Sequence, residues 1–156
     1  MPELEIGSPA PNFSAPTDGG GTVSLAEIDG PVVLFFYPRD DTSGCTKEAI
    51  AFSEAKAEFD ALGVTVLGIS TDGAASHDAF KAKHDLTISL VSDEDRAVVE
   101  AYGVWVEKSM YGRKFMGTER ATFLIGADKA LLAIWRKVKV PGHAAAVLKT
   151  ARDQIT

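Results

Sequence analysis

The stretch Val32-Val33-Leu34-Phe35-Phe36-Tyr37-Pro38-Arg39-Asp40-Asp41-Thr42-Ser43-Gly44-Cys45-Thr46-Lys47-Glu48-Ala49 decides how this chain is read. Its first six residues are continuously apolar, β-branched or aromatic. Such a run predicts a central strand covered on both faces. It ends at Pro38 and a short polar loop, and a helical pattern starts at Cys45. Ala49, Phe52, Ala55, Phe59 and Leu62 recur near helical spacing and Gly63 stops them, which predicts a helix from about Gly44 to Leu62. Cys45 lies four residues before Ala49 and seven before Phe52, so it shares the helix's apolar face. A thiol at this junction meets unpaired backbone N–H groups and the positive end of a helix dipole. Both favour thiolate over thiol.

Outward from this stretch, strands and helices alternate. The first thirty residues hold Pro2, Pro9, Pro11, Pro16 and the run Asp18-Gly19-Gly20-Gly21. They read as extended pieces and turns with a hairpin at the glycines. Val64–Ser70 is a second buried strand and Thr87–Val91 a third. Between them a helix runs from Asp72 to about Lys83, with Asp72 or Ser76 as its cap. A helix from Asp93 to Tyr102 has acidic residues in its first turn and Gly103 at its end. Arg113 and Lys114 read as part of a solvated loop. Ala121–Ile125 and Leu131–Trp135 flank Gly126-Ala127-Asp128-Lys129, which reads as a hairpin turn. A final helix spans Ala144 to about Gln154. The order predicts an α/β layered domain with a mixed sheet.

At 156 residues the chain reads as one domain, residues 1–156. A domain of this size buries roughly 70% of its unfolded surface and needs no disulfide or metal staple. Cys45 is the only cysteine, which rules out an intramolecular disulfide and a cysteine-based zinc site. His77, His84 and His143 show no metal-ligand spacing, so no metal and no cofactor is expected. The formal charge of −6 argues against nucleic-acid binding, which normally shows a basic face. No positively flanked apolar segment begins the chain and none reaches bilayer length, so neither export nor a membrane is expected. A free thiol then fits a reducing cytoplasm.

Pro38-x-x-x-Thr42-x-x-Cys45 matches the active-site pattern of the peroxiredoxins. The longer string Phe36–Ala49 resembles the bacterioferritin-comigratory-protein, or PrxQ, branch. The likeness continues through Ser92-Asp93, Ala101–Trp105, Lys108–Gly112 and Arg120–Ile125, and so covers nearly the whole chain. The resemblance implies a thioredoxin-like fold, a central mixed sheet flanked by helices with an N-terminal hairpin extension. It also implies reduction of hydrogen peroxide or small alkyl hydroperoxides by a cysteine thiolate. Many members of the branch carry a second, resolving cysteine five residues after the first; here that position is Ile50. The chain therefore resembles a one-cysteine variant, recycled by an external thiol such as thioredoxin, glutaredoxin or a low-molecular-weight thiol. Its relatives imply a monomer or a homodimer.

The chemistry needs a thiolate at neutral pH and stabilisation of charge moving onto the leaving oxygen. An unperturbed cysteine, with a pKa near about 8.5, is only about 3% thiolate at pH 7. A helix N-terminus contributes about 0.3–1 kcal/mol, rising to about 2 kcal/mol when partly buried, so a cation is needed as well. The resemblance assigns that cation to Arg120, whose guanidinium holds both thiolate and a peroxide oxygen. It assigns Thr42 a hydroxyl that accepts from the peroxide and donates toward sulfur. The resemblance further implies that Gly44 leaves room and, with Cys45, offers backbone N–H groups, and that Pro38 walls the sulfur from water.

Plainer readings weigh against these. A lone cysteine is usually a small buried hydrophobe, and an isolated arginine is usually on the surface. Asp40 and Asp41 read as loop and cap residues rather than acids. Glu48 either favours the helix start or contacts Arg120. Tyr102, Trp105 and Trp135 read as core or interface residues. A peroxide-sensing redox relay or a stress-binding protein, either using Cys45 stoichiometrically, is the alternative to a peroxidase. A cysteine hydrolase would need a histidine base, and none of the three lies in such a signature.

Overall fold

The computed structural model describes residues 4–155; Pro2 and Thr156 lie outside them. Five strands form the main sheet: β3 (Val32–Phe36), β4 (Thr65–Ser70), β5 (Ser89–Ser92), β8 (Ala121–Ile125) and β9 (Leu131–Trp135), ordered β5-β4-β3-β8-β9. β3 is parallel to β4 and antiparallel to β8, so the sheet is mixed. Every residue of β3 is buried, as expected of the central strand.

Alternation along β3 sorts its side chains to two cores. Val32, Leu34 and Phe36 join one face with Leu25, Val98 and Tyr102. Val33, Phe35 and Tyr37 join the other with Cys45, Phe52 and Phe80. Each large apolar side chain so buried contributes about 1.5–3 kcal/mol. The second face is covered by α1 (Ser43–Ala61), α2 (Ala74–His84) and α4 (His143–Ile155). The first is covered by α3 (Ala97–Ala101) and the N-terminal segment, where β1 (Ser14–Pro16) pairs with β2 (Thr22–Ser24) across the expected glycine turn.

Gly68 on β4 shows how tightly the second face is packed. A Cβ there would meet Phe35 Cζ at 2.7 Å and Leu90 Cδ2 at 3.0 Å. The glycine is needed for space, since Phe35 stacks on Phe52 at 4.5 Å between ring centroids.

Three expectations are corrected. Arg113 and Lys114 do not lie on a loop: β6 (Trp105–Met110) and β7 (Arg113–Thr118) form an antiparallel hairpin. Its turn residues Tyr111 and Gly112 both have positive φ, 52° and 77°. Two-residue hairpin turns require this, but tyrosine is not among the residues that announce it. The helix expected from Asp93 starts only at Ala97, because Arg96 takes a left-handed φ of 64°. Asp93 instead turns its carboxylate onto the N–H groups of Val98 and Val99. Neither Asp72 nor Ser76 caps α2; Gly73 holds that position without a side-chain bond.

Candidate active site

The sheet register sets the site. Phe36, the last residue of β3, pairs with Ala121, the first of β8. The Pro38–Thr42 loop leaving β3 and Arg120 entering β8 therefore meet at one sheet end. Cys45 then falls in the first turn of α1, which begins after Thr42.

The Arg120 guanidinium joins two groups of α1. Its Nη2 donates to Cys45 Sγ at 3.4 Å and its Nη1 to Glu48 Oε1 at 2.8 Å. Cys45 and Glu48 are three residues apart and so lie on one helix face. Burial pushes the Glu48 carboxyl up to about 7, against the opposing pull of Arg120. Its second oxygen is buried with no hydrogen-bond partner among the described residues. Glu48 thus contacts Arg120 rather than serving the helix start. Gly44 backs the guanidinium: a Cβ there would sit 3.2 Å from Nη2.

The helix start leaves donors open beside the sulfur. The first helical bond runs from Thr46 N–H to the Thr42 carbonyl at 2.8 Å. The N–H groups of Ser43, Gly44 and Cys45 therefore precede any intrahelical acceptor. No side chain caps them from Thr42. The Thr42 hydroxyl donates to the Arg39 carbonyl at 3.0 Å. Its single proton is committed there, so what it offers a ligand is its lone pairs. Donation toward sulfur, expected from the resemblance, is not the bond it makes here. Pro38 is half-buried in the same loop. Cys45 is only 1% exposed, so only a small electrophile reaches its sulfur.

Asp40 and Asp41 are not helix caps; they tie this loop to α2. Tyr37 Oη donates to Asp40 Oδ1 at 2.6 Å, and Ser76 Oγ to Asp40 Oδ2 at 2.7 Å. His77 Nδ1 lies 2.7 Å from Asp40 Oδ2 and its Nε2 lies 2.9 Å from the Val91 carbonyl. A carbonyl and an ionised carboxylate only accept, so both ring nitrogens donate and His77 is an imidazolium. Burial lowers its pKa, but the hydrogen bond and charge of Asp40 outweigh this and hold it above the usual histidine range. Asp72 Oδ2 receives the Asp40 N–H at 2.8 Å, and Asp41 pairs with Lys83 and His84. This network was not legible beforehand: Tyr37, Asp40 and His77 are 3 and 37 residues apart.

His143 is pushed down to about 4 by burial and the Arg120 charge, and shares a 2.7 Å hydrogen bond with Thr122. The hydrogen-bond partners of His77 and His84 are Asp40, Val91, Asp41 and, at 3.5 Å, the Tyr37 hydroxyl. No histidine is therefore placed as a base for Cys45 among these contacts.

The arrangement, a buried sulfur against an arginine at an uncapped helix start, suits attack of a thiolate on a small electrophile. Comparisons with known proteins agree with it. The model of the AhpC/TSA family matches residues 6–134. The chain is 48% identical over 146 residues to a putative peroxiredoxin bcp of Coxiella burnetii, covering 93% of this chain and 97% of that protein. It is 42% identical to the peroxiredoxin Bcp of Bacillus subtilis, with 96% of each covered. Among solved structures, it is similar to the bacterioferritin comigratory protein of Xanthomonas campestris, described for its alkyl peroxide reduction activity (TM-score 0.90, 40% identity, 98% of each chain). It also matches a cysteine-to-serine variant of Xylella fastidiosa PrxQ (TM-score 0.94, 37% identity, 100% of each chain). With its thioredoxin-like mixed sheet and single cysteine, the chain belongs to the AhpC/TSA family, within the Bcp/PrxQ peroxiredoxins.

Proposed function

We propose that the chain is a thiol-dependent peroxidase, acting as a single domain in the cytoplasm, that reduces hydrogen peroxide and small alkyl hydroperoxides at Cys45. The observation that carries this reading is the Arg120 guanidinium, 3.4 Å from Cys45 Sγ and anchored by Glu48 at the first turn of α1. The Cys45 thiolate attacks the terminal peroxide oxygen. The S–O bond forms as the O–O bond breaks, sulfur is oxidised to the sulfenic acid, and the leaving alkoxide takes a proton to become an alcohol. Arg120 holds the thiolate and a peroxide oxygen through two edges of one plane. The Gly44 and Cys45 N–H groups receive charge on the departing oxygen, and Thr42 accepts the peroxide O–H. Pro38 keeps water from the sulfur.

With Cys45 as the only cysteine, an external thiol resolves the sulfenic acid. Thioredoxin, glutaredoxin and low-molecular-weight thiols are the reductants proposed, and a monomer or homodimer is the proposed state. Among the described residues no helix is long and apolar enough to cross a membrane. Peroxide consumption with excess dithiothreitol tests the reading. The wild-type protein is expected to turn over many times and Cys45→Ser not at all. Consumption by Cys45→Ser at the wild-type rate rejects it.

A further inference from the structure

Thr42 is held through one peptide group. β3 and β4 run parallel with Phe36 opposite Ile69, so the segments that follow them leave the sheet at the same end. A bond of 3.1 Å from the Tyr37 N–H to the Ile69 carbonyl carries the pairing one residue further. Beyond it, the Asp40 N–H donates to Asp72 Oδ2 at 2.8 Å. The other side of that same peptide is the Arg39 carbonyl, which accepts the Thr42 hydroxyl at 3.0 Å. A trans peptide is planar, so its N–H and C=O point in opposite directions and turn together. The Asp72 carboxylate therefore fixes one edge of a plane whose other edge fixes the Thr42 proton.

Both ends are held in turn. Ser70 Oγ donates to Asp72 Oδ2 at 2.8 Å, and Ser92 Oγ donates to the Asp72 carbonyl at 2.6 Å. Both serines are buried. Between the peptide and Thr42 stands Asp41, in a left-handed conformation with φ 60°, which aspartate tolerates better than most residues. Its carboxylate is tied to Lys83 and His84 on α2. That turn brings the Thr42 hydroxyl back onto Arg39.

A hydroxyl has one proton and two lone pairs. Free to rotate, it offers the proton to any anion in the site. With the proton on the Arg39 carbonyl it can only accept, which is what a peroxide O–H requires. We propose that Asp72 is a positioning residue for peroxide reduction, acting through the Arg39–Asp40 peptide to keep Thr42 an acceptor. This rests on the peroxidase reading above. Asp72 itself touches neither the sulfur nor the substrate in this role.

Oxidation of Cys45 by hydrogen peroxide is followed by rapid mixing. If Cys45 of the wild type is not oxidised, the peroxidase reading fails, and this proposal with it. Given a reactive wild type, Asp72→Ala is expected to lower the second-order rate constant about fivefold, the size of one typical hydrogen bond. Asp72→Asn keeps an oxygen for the Asp40 N–H and stays within about twofold of wild type. In Thr42→Val, which has no hydroxyl to orient, adding Asp72→Ala changes the rate by less than about twofold, whereas in Thr42→Ser it again costs about fivefold. A fivefold loss that persists in Thr42→Val overturns the proposal, because it marks a general loosening of the site. So does a wild-type rate in folded Asp72→Ala. If circular dichroism shows that Asp72→Ala does not fold, Ser70→Ala decides instead, since it removes the donor behind Asp72 and leaves the loop's own bonds in place. Its loss, about twofold, is expected to vanish in Thr42→Val, and its absence or its persistence there overturns the proposal.

Discussion

Replacing Arg120 with methionine removes the guanidinium and keeps an unbranched stem. The Nη2–Sγ distance is 3.4 Å. At that distance a unit charge pair is worth about 1.2 kcal/mol in water and about 5 kcal/mol at an effective dielectric of 20. The Arg120 side chain is 18% exposed and Glu48 only 1%, which places the pair toward the larger figure. Guanidinium charge is spread over three nitrogens, so the full point-charge value is not reached. A loss of about 2.7–4 kcal/mol, or about 10²–10³ in rate, is the size found when one preorganised donor is removed from a developing anion. Glu48 loses its one hydrogen-bond partner among the described residues, but its carboxyl, raised to about 7, takes up a proton and avoids a bare buried charge. The fold is therefore expected to survive. Rapid-mixing measurement of Cys45 oxidation by hydrogen peroxide gives the second-order rate constant directly. A folded Arg120→Met protein, judged by circular dichroism, that reacts within fivefold of wild type would refute the assigned role.

Three other perturbations test the surroundings. Glu48 has a raised folded-state pKa of about 7, so the folded protein holds a proton there that the unfolded chain has released; stability from this group falls as pH rises from about 4.5 to 7 and is flat above. In Glu48→Gln the melting temperature should lose that decline, and an identical pH dependence to wild type would count against it. His77→Ala leaves Asp40 buried without its cation and is expected to cost about 3–5 kcal/mol in urea unfolding. The His77 contribution is present below about pH 6.5 and is lost as pH rises through its raised folded pKa, so wild type and variant should converge at high pH. Gly68→Ala forces a methyl against Phe35 at 2.7 Å and should destabilise by about 1–3 kcal/mol; equal midpoints in urea would show that the strands give way more easily than packing implies.

The hairpin of β6 and β7 shows how a local pattern is lost. Its strands carry Lys108, Met110, Arg113 and Phe115 on one face, without a buried apolar set to mark them. A two-stranded arm buries too little to impose the alternation that announces a strand. The shortened α3 fails for a different reason. Asp93 satisfies two helix N–H groups from five and six residues away, so acidic residues that look like a first turn lie before the helix.

The sequence alone determined the central strand, the long helix after it and the sulfur between them. Continuous apolar residues, helical spacing and a glycine stop are local signals, and each acts within a few residues. The chain's own order also implied the β8–β9 hairpin and the mixed sheet. Only the tertiary structure decided that Arg120 reaches Cys45 and Glu48 together, because that contact spans 75 residues and depends on the register of Phe36 with Ala121. It alone decided that Asp40 binds a buried imidazolium and that the Lys108 stem crosses Gly117. Charges tens of residues apart leave no periodic trace; they meet only where strand pairing brings chain ends to one edge.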